Sequence, residues 1–260
     1  MPTANKGIST KKNSTSQSGL FNLRTVRACA FFSVGSLLTY FSFAGPTTVQ
    51  APSVPTFAGN AQHTAIYQPA AQTLNTTRWV TTIDLNPGDL AHYGSPVITS
   101  ANTVLVPVKT ATDGFRVDAF DGSNNGVAKY TLTTDYVLPS HDWVPVYNPC
   151  LTTGSFGTRL YYAGRGGTIY YIDNPDAIAH GTPVHQVFYT TLANYLANAA
   201  AYNAAIFINT PITADSSGYI FFGFRVQGTA PAPLSTTQSG FARIDPNGNE
   251  GDFPKSYLHI

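Results

Sequence analysis

The densest cluster of polar and aromatic residues in the chain is His141-Asp142-Trp143, within the segment Leu138–Pro149. A histidine beside a carboxylate has the chemistry to bind a metal ion or to exchange protons. A tryptophan offers a flat apolar face on which a sugar or another planar ligand stacks. The alternative is structural, with Trp143 packed in the interior and the other two side chains hydrogen-bonded to loop amides. No second acid or histidine is spaced to complete a reactive site, which favours the structural role.

The segment Asp245–Asp252 places oxygen-bearing side chains at alternating positions, as calcium-binding loops do. Such a loop requires a glycine at its sixth position and a closing glutamate. Here Glu250 occupies the sixth position and the closing glutamate is missing, so a hairpin turn is the better interpretation. The sequence also contains no Gly-x-Ser-x-Gly, Cys-x-x-Cys or His-Glu-x-x-His pattern. We therefore predict no catalytic residues, no metal site and no cofactor.

An internal repeat supplies the elements that would position these residues. The opening Ser95–Thr99 recurs as Asn148–Thr152 and, one residue shorter, as Thr210–Thr213. Each opening is followed by an apolar, aromatic run and then by a second run that ends in an aspartate before a turn. These aspartates are Asp121, Asp173 and Asp245. The intervals from proline to aspartate are 25, 24 and 34 residues, so the landmarks recur in one order.

Each unit has the pattern of short strands separated by Gly, Asn, Asp and Pro turns. The predicted strands are Ser95–Thr99, Thr103–Thr110, Phe115–Phe120 and Val127–Thr134 in the first unit, Val146–Thr152, Arg159–Gly164, Thr168–Ile172 and Val184–Thr190 in the second, and Asn209–Thr213, Tyr219–Val226 and Ser239–Ile244 in the third. A repeat of about 50 residues with four strands is typical of a β-propeller blade. One twisted sheet leaves both of its faces bare, and radial stacking on neighbouring sheets covers them.

We therefore predict an all-β fold, a partial β-propeller over residues 78–260 with four-stranded antiparallel blades. The blades are placed at residues 95–134, 146–190 and 209–260. Because a closed ring needs about four blades or more, we expect a truncated form of a longer protein or blades supplied by another chain.

Three features depart from the regular repeat. Residues 78–86, around Trp79, are predicted to be an outer strand that closes the ring. The third unit shows no fourth strand. The Ala-rich segment Leu192–Phe207 has apolar residues at helical spacing, so we predict one inserted helix that packs over an end of the propeller.

The loops that enter the innermost strands border the funnel of a propeller, where ligands usually bind. In this chain those loops are Asp89–Pro96 and Leu138–Pro149. The side chains predicted to lie at this rim are His92, Tyr93, His141, Asp142, Trp143 and Tyr147. We expect them to bind a protein or carbohydrate ligand.

Residues 1–44 have the pattern of a secretory signal peptide. Five lysines and arginines precede the uncharged apolar run Ala28–Ala44, whose end suits cleavage before Gly45. An uncleaved membrane anchor is the alternative. Residues 45–77, rich in Pro, Thr, Ala and Gln, are predicted to be a disordered linker. We expect export to the periplasm, the cell surface or the medium, with only transient membrane contact through the signal segment.

The charge balance of the remaining chain points away from nucleic acid. From Arg78 onward nine Lys and Arg residues stand against thirteen Asp and Glu, a balance of −4 without a basic stripe. After cleavage Cys150 would be the one remaining cysteine, so we expect no intrachain disulfide.

The units resemble the repeats of quinoprotein-like β-propellers, the PQQ-repeat domains. The similarity lies in the Ser95–Ile98 opening, in the turn Val117–Gly122 with Asp118 inserted, and in the strand after Gly126; it covers residues 78–248. This resemblance implies the propeller fold. Its catalytic members are dehydrogenases that bind pyrroloquinoline quinone and a calcium ion, and its noncatalytic members include periplasmic scaffolds for outer-membrane protein assembly.

The dehydrogenases place a tryptophan after the Asp-x-x-x-Gly turn, where it docks successive blades. The corresponding position here is near Tyr130, and the second unit reads Asn174-Pro175 without such a tryptophan. This departure favours the noncatalytic members. The resemblance thus implies an exported binding or scaffold module without catalysis of its own. The alternative is the N-terminal fragment of a dehydrogenase, with the quinone and calcium as its cofactors.

Overall fold

A computed structural model describes residues 54–66, 75–83, 94–110, 114–137, 147–246 and 257–259. These residues belong to one unit of the chain, Pro46–Ile260. A second unit, Met1–Gly45, contains the predicted signal segment and lies outside the described residues.

The described residues form three antiparallel sheets. The first contains, in spatial order, β1 (Val97–Ile98), β2 (Thr103–Lys109), β3 (Gly114–Asp121) and β4 (Val127–Val137). The second contains β5 (Cys150–Gly154), β6 (Gly157–Ala163), β7 (Ile169–Asp173) and β8 (Val184–Gln186). The third contains β10 (Thr213–Ala214), β11 (Ile220–Val226), β12 (Gly240–Ile244) and β13 (Tyr257–His259), and β9 (Ile206–Ile208) also pairs with β11.

The first two sheets are each one sequence repeat folded as a four-stranded up-and-down meander, and the third is the third repeat with β9 added, so the predicted β-rich architecture of antiparallel sheets is confirmed. In the first unit the aspartate that ends the second run caps the turn between β3 and β4. The Asp121 carboxylate accepts hydrogen bonds from the backbone N–H groups of Ser123 (2.9 Å) and Asn124 (3.1 Å). Asn125 and Gly126 follow with φ of 53° and 69°, which Asn and Gly tolerate best.

The third sheet differs from the prediction in two strands. Its fourth strand, which the sequence pattern did not reveal, is β13, paired with β12. Its inner strand is not continuous over 209–213, because Pro211 has no N–H to donate. There the Thr210 hydroxyl accepts the Gly223 N–H at 2.6 Å, and regular pairing continues in β9 on one side and β10 on the other.

The predicted single helix over 192–207 is wrong in its extent. The structure has two short helices, α1 (Leu192–Ala197) and α2 (Ala199–Ala205), separated at Asn198, whose φ of −132° is not helical. Ile206 and Phe207 belong to β9, where β-branched and aromatic side chains pair well with a neighbouring strand. None of the helices in the described part of the chain has the length and apolarity required to cross a membrane.

The second sheet is buried on both of its faces. Adjacent residues of a strand point to opposite faces, yet Tyr161 and Tyr162 are each 0% exposed. On one side the Arg159 guanidinium reaches the Pro246 carbonyl of the third unit at 3.0 Å. On the other side Thr134 of β4 donates to the Ala163 carbonyl at 2.5 Å. The three sheets therefore stack in sequence order, with the second between the other two.

The segment between β7 and β8 fastens the second sheet to the first. The Tyr130 hydroxyl donates to the Pro175 carbonyl, and Lys129 Nζ donates to the Asp176 carbonyl at 2.7 Å. The Tyr130 ring also lies 4.3 Å from the His180 ring. Tyr130 thus connects the first sheet with the segment that follows β7 of the second.

The residues that precede the first strands of the three repeats meet at Asn148. Its side-chain oxygen accepts the Ser95 N–H at 2.6 Å, and its carbonyl accepts the Ile212 N–H at 3.3 Å. These positions open the three repeats, so the recurring motif marks the place where the units converge.

Residues 54–66, hereafter the strap, cross this convergence. Val54 pairs with Ile98 of the first sheet, the Pro55 carbonyl accepts the Leu151 N–H of the second at 2.6 Å, and the Thr56 hydroxyl donates to the Ile212 carbonyl at 3.0 Å. The predicted disorder of residues 45–77 therefore does not hold over the strap, because its backbone bonds to the first two sheets and its Thr56 side chain bonds to the third unit.

The segment around Trp79 forms no strand over residues 75–83, where the sequence suggested an outer closing strand. A Cβ on Gly126 would overlap the Trp79 ring, so this indole covers the turn between β3 and β4. Ile83 packs on Val106, Val108 and Phe120, which share the face of the first sheet that points away from the second. The segment thus covers apolar surface without adding a strand.

Candidate functional site

Five of the six predicted rim residues lie outside the described residues. These are His92, Tyr93, His141, Asp142 and Trp143. The structure describes the part of each predicted rim loop that enters a sheet. Gly94 lies in one of these parts and Tyr147 in the other, and their backbones are in contact.

The sixth predicted residue, Tyr147, is not placed to bind a ligand. It is 2% exposed, and its ring lies 4.3 Å from that of Phe115 and stacks at 5.5 Å on that of Tyr136. Burial raises the pKa of its hydroxyl well above the ordinary value. Tyr147 therefore belongs to the core between the first two sheets, a role that an aromatic residue just before a buried inner strand readily takes.

The same end of the sheets carries a cluster of polar and aromatic side chains, hereafter the rim cluster. It comprises Asp135, Arg165, Tyr170, His185 and Tyr195. Asp135 lies near the end of β4, just before the predicted rim loop, and Arg165 opens the turn between β6 and β7. Tyr170 and His185 are a cross-strand pair of β7 and β8, and Tyr195 is the buried residue of α1.

A hydrogen bond joins the first two sheets at this cluster. The Asp135 carboxylate accepts the Arg165 N–H at 2.9 Å, while both side chains remain exposed to solvent. The turn is held from the other side by the helices, because a Cβ on Gly166 would overlap the side-chain oxygen of Asn203, and Tyr195 donates to that oxygen at 2.8 Å. The carboxylate therefore has a fixed position with a cationic side chain next to it.

The rings of the cluster form a ladder. The Tyr162 and Tyr170 rings stack at 5.6 Å, the Tyr170 and His185 rings stack at 4.2 Å, and Tyr195 meets the His185 ring edge-on at 5.4 Å. The faces of these rings contact one another, so they do not provide a surface on which a ligand can stack. The cluster therefore presents the polar edges of its rings, which form hydrogen bonds.

The hydrogen bonds of Thr168 set the tautomer of His185. The Thr168 hydroxyl donates to the Arg165 carbonyl at 2.8 Å, so toward His185 Nε2, at 2.7 Å, it acts as the acceptor. Nε2 therefore carries the proton and Nδ1 is the accepting nitrogen. Burial lowers the pKa of His185, and the nearby Asp135 carboxylate opposes that shift. The neutral imidazole is thus the form that the fold favours.

The tyrosines of the ladder stay protonated. Burial, with the Asp135 carboxylate as a further cause, raises the pKa of Tyr195 to about 12 and raises that of Tyr170 further. Neutral phenols and a neutral imidazole bind by hydrogen bonding, and none of them is activated as a nucleophile. Among the residues with described positions, no group of three His, Cys, Asp or Glu side chains is arranged to hold a metal ion.

Sequence reasoning missed the rim cluster, although parts of its signal were present. Tyr170 and Tyr171 are adjacent aromatics within a predicted strand, so their side chains point to opposite faces of the sheet. Asp135 and His185 stand alone in polar strand ends, 50 residues apart, and only the pairing of β7 with β8 and the stacking of the sheets bring them together.

Comparison with known proteins leaves the geometry as the guide to function. No protein-family model matches the chain, and no curated protein matches it.

Proposed function

We propose that this protein is an exported binding module, built as part of a β-propeller, that takes a carbohydrate or protein ligand at its rim end. The propeller arrangement is supported by the three successive meanders and by the convergence at Asn148 of the residues that precede their first strands. The basic and apolar leader of residues 1–44 supports export.

The burial pattern of the sheets supports a stack that is open on one side. In the third sheet Phe222 and Phe224 face the second unit and contact Phe188, while Phe221 and Phe241 on the opposite face are 38% and 47% exposed. Exposed aromatic residues on adjacent strands are what an uncovered blade face presents. This is the basis for describing the propeller as partial.

The observation that carries the binding proposal is the exposed Asp135 carboxylate, fixed on the Arg165 N–H beside a ladder of neutral tyrosine and histidine edges. It combines an anionic acceptor, a cationic side chain and the accepting Nδ1 of a neutral imidazole within one patch. Hydroxyl groups of a carbohydrate and polar groups of a protein surface both satisfy such a set. The buried aromatic rings hold the patch rigid, which lowers the entropy cost of binding.

Site-specific photo-crosslinking in the producing cell tests the proposal. A benzoylphenylalanine is introduced in place of Arg165, and the control carries it in place of Asn124, an exposed residue of the turn between β3 and β4 at the other end of the sheets. We expect a discrete protein adduct from position 165 alone, or else selective binding of the unmodified protein to particular glycans on an array. In the array, D135N combined with R165A should weaken binding by about tenfold or more.

Absence of both an adduct at position 165 and any glycan binding would refute the proposal. The dehydrogenase alternative has its own readout, dye reduction with alcohols or aldose sugars after addition of pyrroloquinoline quinone and calcium. Turnover in that assay would replace the binding module with an enzyme.

A further inference from the structure

A polar cavity of about 370 Å³ lies between the strap and the inner strands of the second and third sheets. It is at the end of the sheets away from the rim cluster, beside the turns that follow β5 and β10. Its polar wall consists of Asn60, Gln62, Thr152, Thr153, Asp215 and Ser216. The volume is near the lower end of the range of about 300–1,000 Å³ that small-molecule sites occupy.

The roof of this cavity is fixed without a ligand. His63 Nε2 lies 2.8 Å from the Thr213 hydroxyl, and the Ala65 N–H donates to the Ala58 carbonyl at 2.9 Å, which closes the strap into a loop. Together with the bond from Leu151 to Pro55, these contacts tie both ends of the loop to the inner strands. A ligand would therefore meet a preformed site.

The floor of the cavity contains a hydroxyl whose hydrogen-bonding capacity is unused. Thr152 is 4% exposed, and its Oγ1 is buried without any hydrogen-bond partner. A buried hydroxyl in an apolar strand is ordinarily paired, so this atom calls for an explanation. Thr152 lines the cavity, so a guest hydroxyl that reaches the covered Oγ1 supplies both the missing donor and the missing acceptor.

The described wall of the cavity contains one carboxylate, that of Asp215, and two backbone N–H groups already offset part of its charge. Asp215 Oδ1 accepts the Ser217 N–H at 2.9 Å and the Tyr219 N–H at 3.0 Å. Both bonds use the same oxygen, which leaves Oδ2 to accept a hydrogen bond from a guest. Among the described residues that line the cavity there is no Lys or Arg, so there an anionic guest would meet the carboxylate and polar neutral groups.

We infer that this cavity is a second binding site, for a neutral polyol of about monosaccharide size, held between the Thr152 hydroxyl and the Asp215 carboxylate. A polyol supplies donors to the carboxylate and both partners to the threonine. A cation gains less, because two N–H groups already neutralise part of the Asp215 charge. The site is separate from the rim cluster and does not depend on the function proposed for it.

Three compounds with one carbon skeleton test this inference: sorbitol, gluconate and the amine glucamine, which differ only in the charge at one end. Binding is followed by two-dimensional NMR of the isotopically labelled protein. We expect sorbitol to shift the backbone amide signals of residues 60–62, 151–153 and 214–216, with gluconate and glucamine weaker. Tighter binding of either charged compound, or no shift at saturating sorbitol, would overturn the inference.

The variant Thr152→Val removes the hydroxyl and preserves both the size and the β-branching of the side chain. It leaves no buried hydroxyl to satisfy, so the fold should be retained while sorbitol binds about fivefold to tenfold more weakly. The matched control is Thr133→Val on the exposed surface of β4, which should bind sorbitol as the wild type does. Equal affinity of the Thr152→Val variant and the wild type would contradict a role for this hydroxyl. Shifts spread over the whole surface would mean non-specific association only, and that result too would refute the site.

Discussion

Gly94 lies directly against the carbonyl oxygen of Tyr147, so that a Cβ at this glycine would overlap the oxygen and press on the Pro107 ring. The two segments predicted to form the rim thus enter the first and second sheets in backbone contact. A glycine is needed here for close approach, since no flexible side chain can yield to relieve the overlap.

The variant Gly94→Ala tests how rigid this contact is. Because the obstacle is backbone, we expect the free energy of unfolding to fall by about 3 kcal/mol, at the upper end of the cost of overpacking. Urea unfolding followed by circular dichroism measures it. The control is Gly181→Ala, where φ is +79° and no atom lies within 4 Å of the new methyl group, so only about 1 kcal/mol of backbone strain is expected. Equal losses in the two variants would show that the crowding at Gly94 is easily relieved.

Asn148 should be the most sensitive polar residue at the centre of the fold. It is 3% exposed and hydrogen-bonds to both Ser95 and Ile212, so its side chain and backbone link all three repeats. In Asn148→Ala the half-buried Ser95 N–H loses its acceptor, and the unfolding free energy should drop by about 1–3 kcal/mol. The exposed Asn194 gives a matched control, since Asn194→Ala should change stability by less than about 0.5 kcal/mol. A loss at Asn148 no larger than at Asn194 would contradict the linking role.

The repeat allowed much of this architecture to be predicted, because strand period and turn residues are local signals. The strands from Thr103 to Asp173 were placed within a few residues of their observed bounds. The strap was missed for the opposite reason. Its partners, Ile98, Leu151 and Ile212, lie far along the chain, and a Pro- and Thr-rich segment has no periodicity of its own.

The interaction between Arg159 and Asp173 predicts a marked difference between arginine and lysine. The guanidinium binds the carboxylate through two nitrogens, at 2.6 and 3.1 Å, and lies 4.0 and 3.8 Å from the ring centres of Phe156 and Tyr171. Lysine retains the charge but loses the second hydrogen bond and the stacking. For Arg159→Lys we expect the unfolding free energy to fall by about 1–3 kcal/mol in urea titrations.

Arg243 provides the comparison for that substitution. It is exposed, and its guanidinium lies 3.9 Å from the single ring of Tyr219. Arg243→Lys should alter stability by less than about 0.5 kcal/mol. Similar effects at the two sites would mean that the two-point contact of Arg159 contributes nothing beyond a surface charge.

The thiol of Cys150 should be unreactive toward disulfide reagents in the folded protein. It is 0% exposed on the inner strand β5, and burial raises the pKa of its thiol to about 12. At pH 8 only about one thiol in ten thousand is then ionised, and the thiolate is the reactive form. In a Cys29→Ser background, reaction with a disulfide reagent should be about a thousandfold or more slower in buffer than in unfolding urea. Rapid reaction in buffer would place this thiol at the surface.

The rim cluster could not be predicted because its members are joined by tertiary pairing alone. Asp135 sits in a strand of the first sheet, His185 in the last strand of the second, and Tyr195 in a helix after it. No single stretch of sequence contains the residues of the rim cluster. His141, Asp142 and Trp143, in contrast, are consecutive in the sequence and are therefore recognised as a cluster. Tyr147 was misplaced because the period of two does not reveal whether a residue just before a strand faces the core or the opening.

His185 gives a stability change with a defined sign as the pH falls. Burial lowers its pKa below the ordinary value of 6.5, and the Asp135 carboxylate opposes part of that shift. Around and below pH 6.5 the unfolded chain therefore binds more protons at this residue than the folded protein does, and stability rises with pH. The contribution is complete above the unfolded pKa and is lost as the pH falls toward the folded pKa.

The test compares unfolding free energies at about pH 7.5 and about pH 5.5 for the wild type and His185→Gln, whose amide can still donate to Thr168. The wild type should lose more stability on acidification than the variant, because glutamine does not titrate. Asp135→Asn should steepen the loss, since it removes the charge that favours the imidazolium and leaves burial unopposed. If His185→Gln loses as much stability as the wild type, the pH dependence originates elsewhere. If Asp135→Asn flattens it, the carboxylate does not act on the imidazole in the way the geometry indicates.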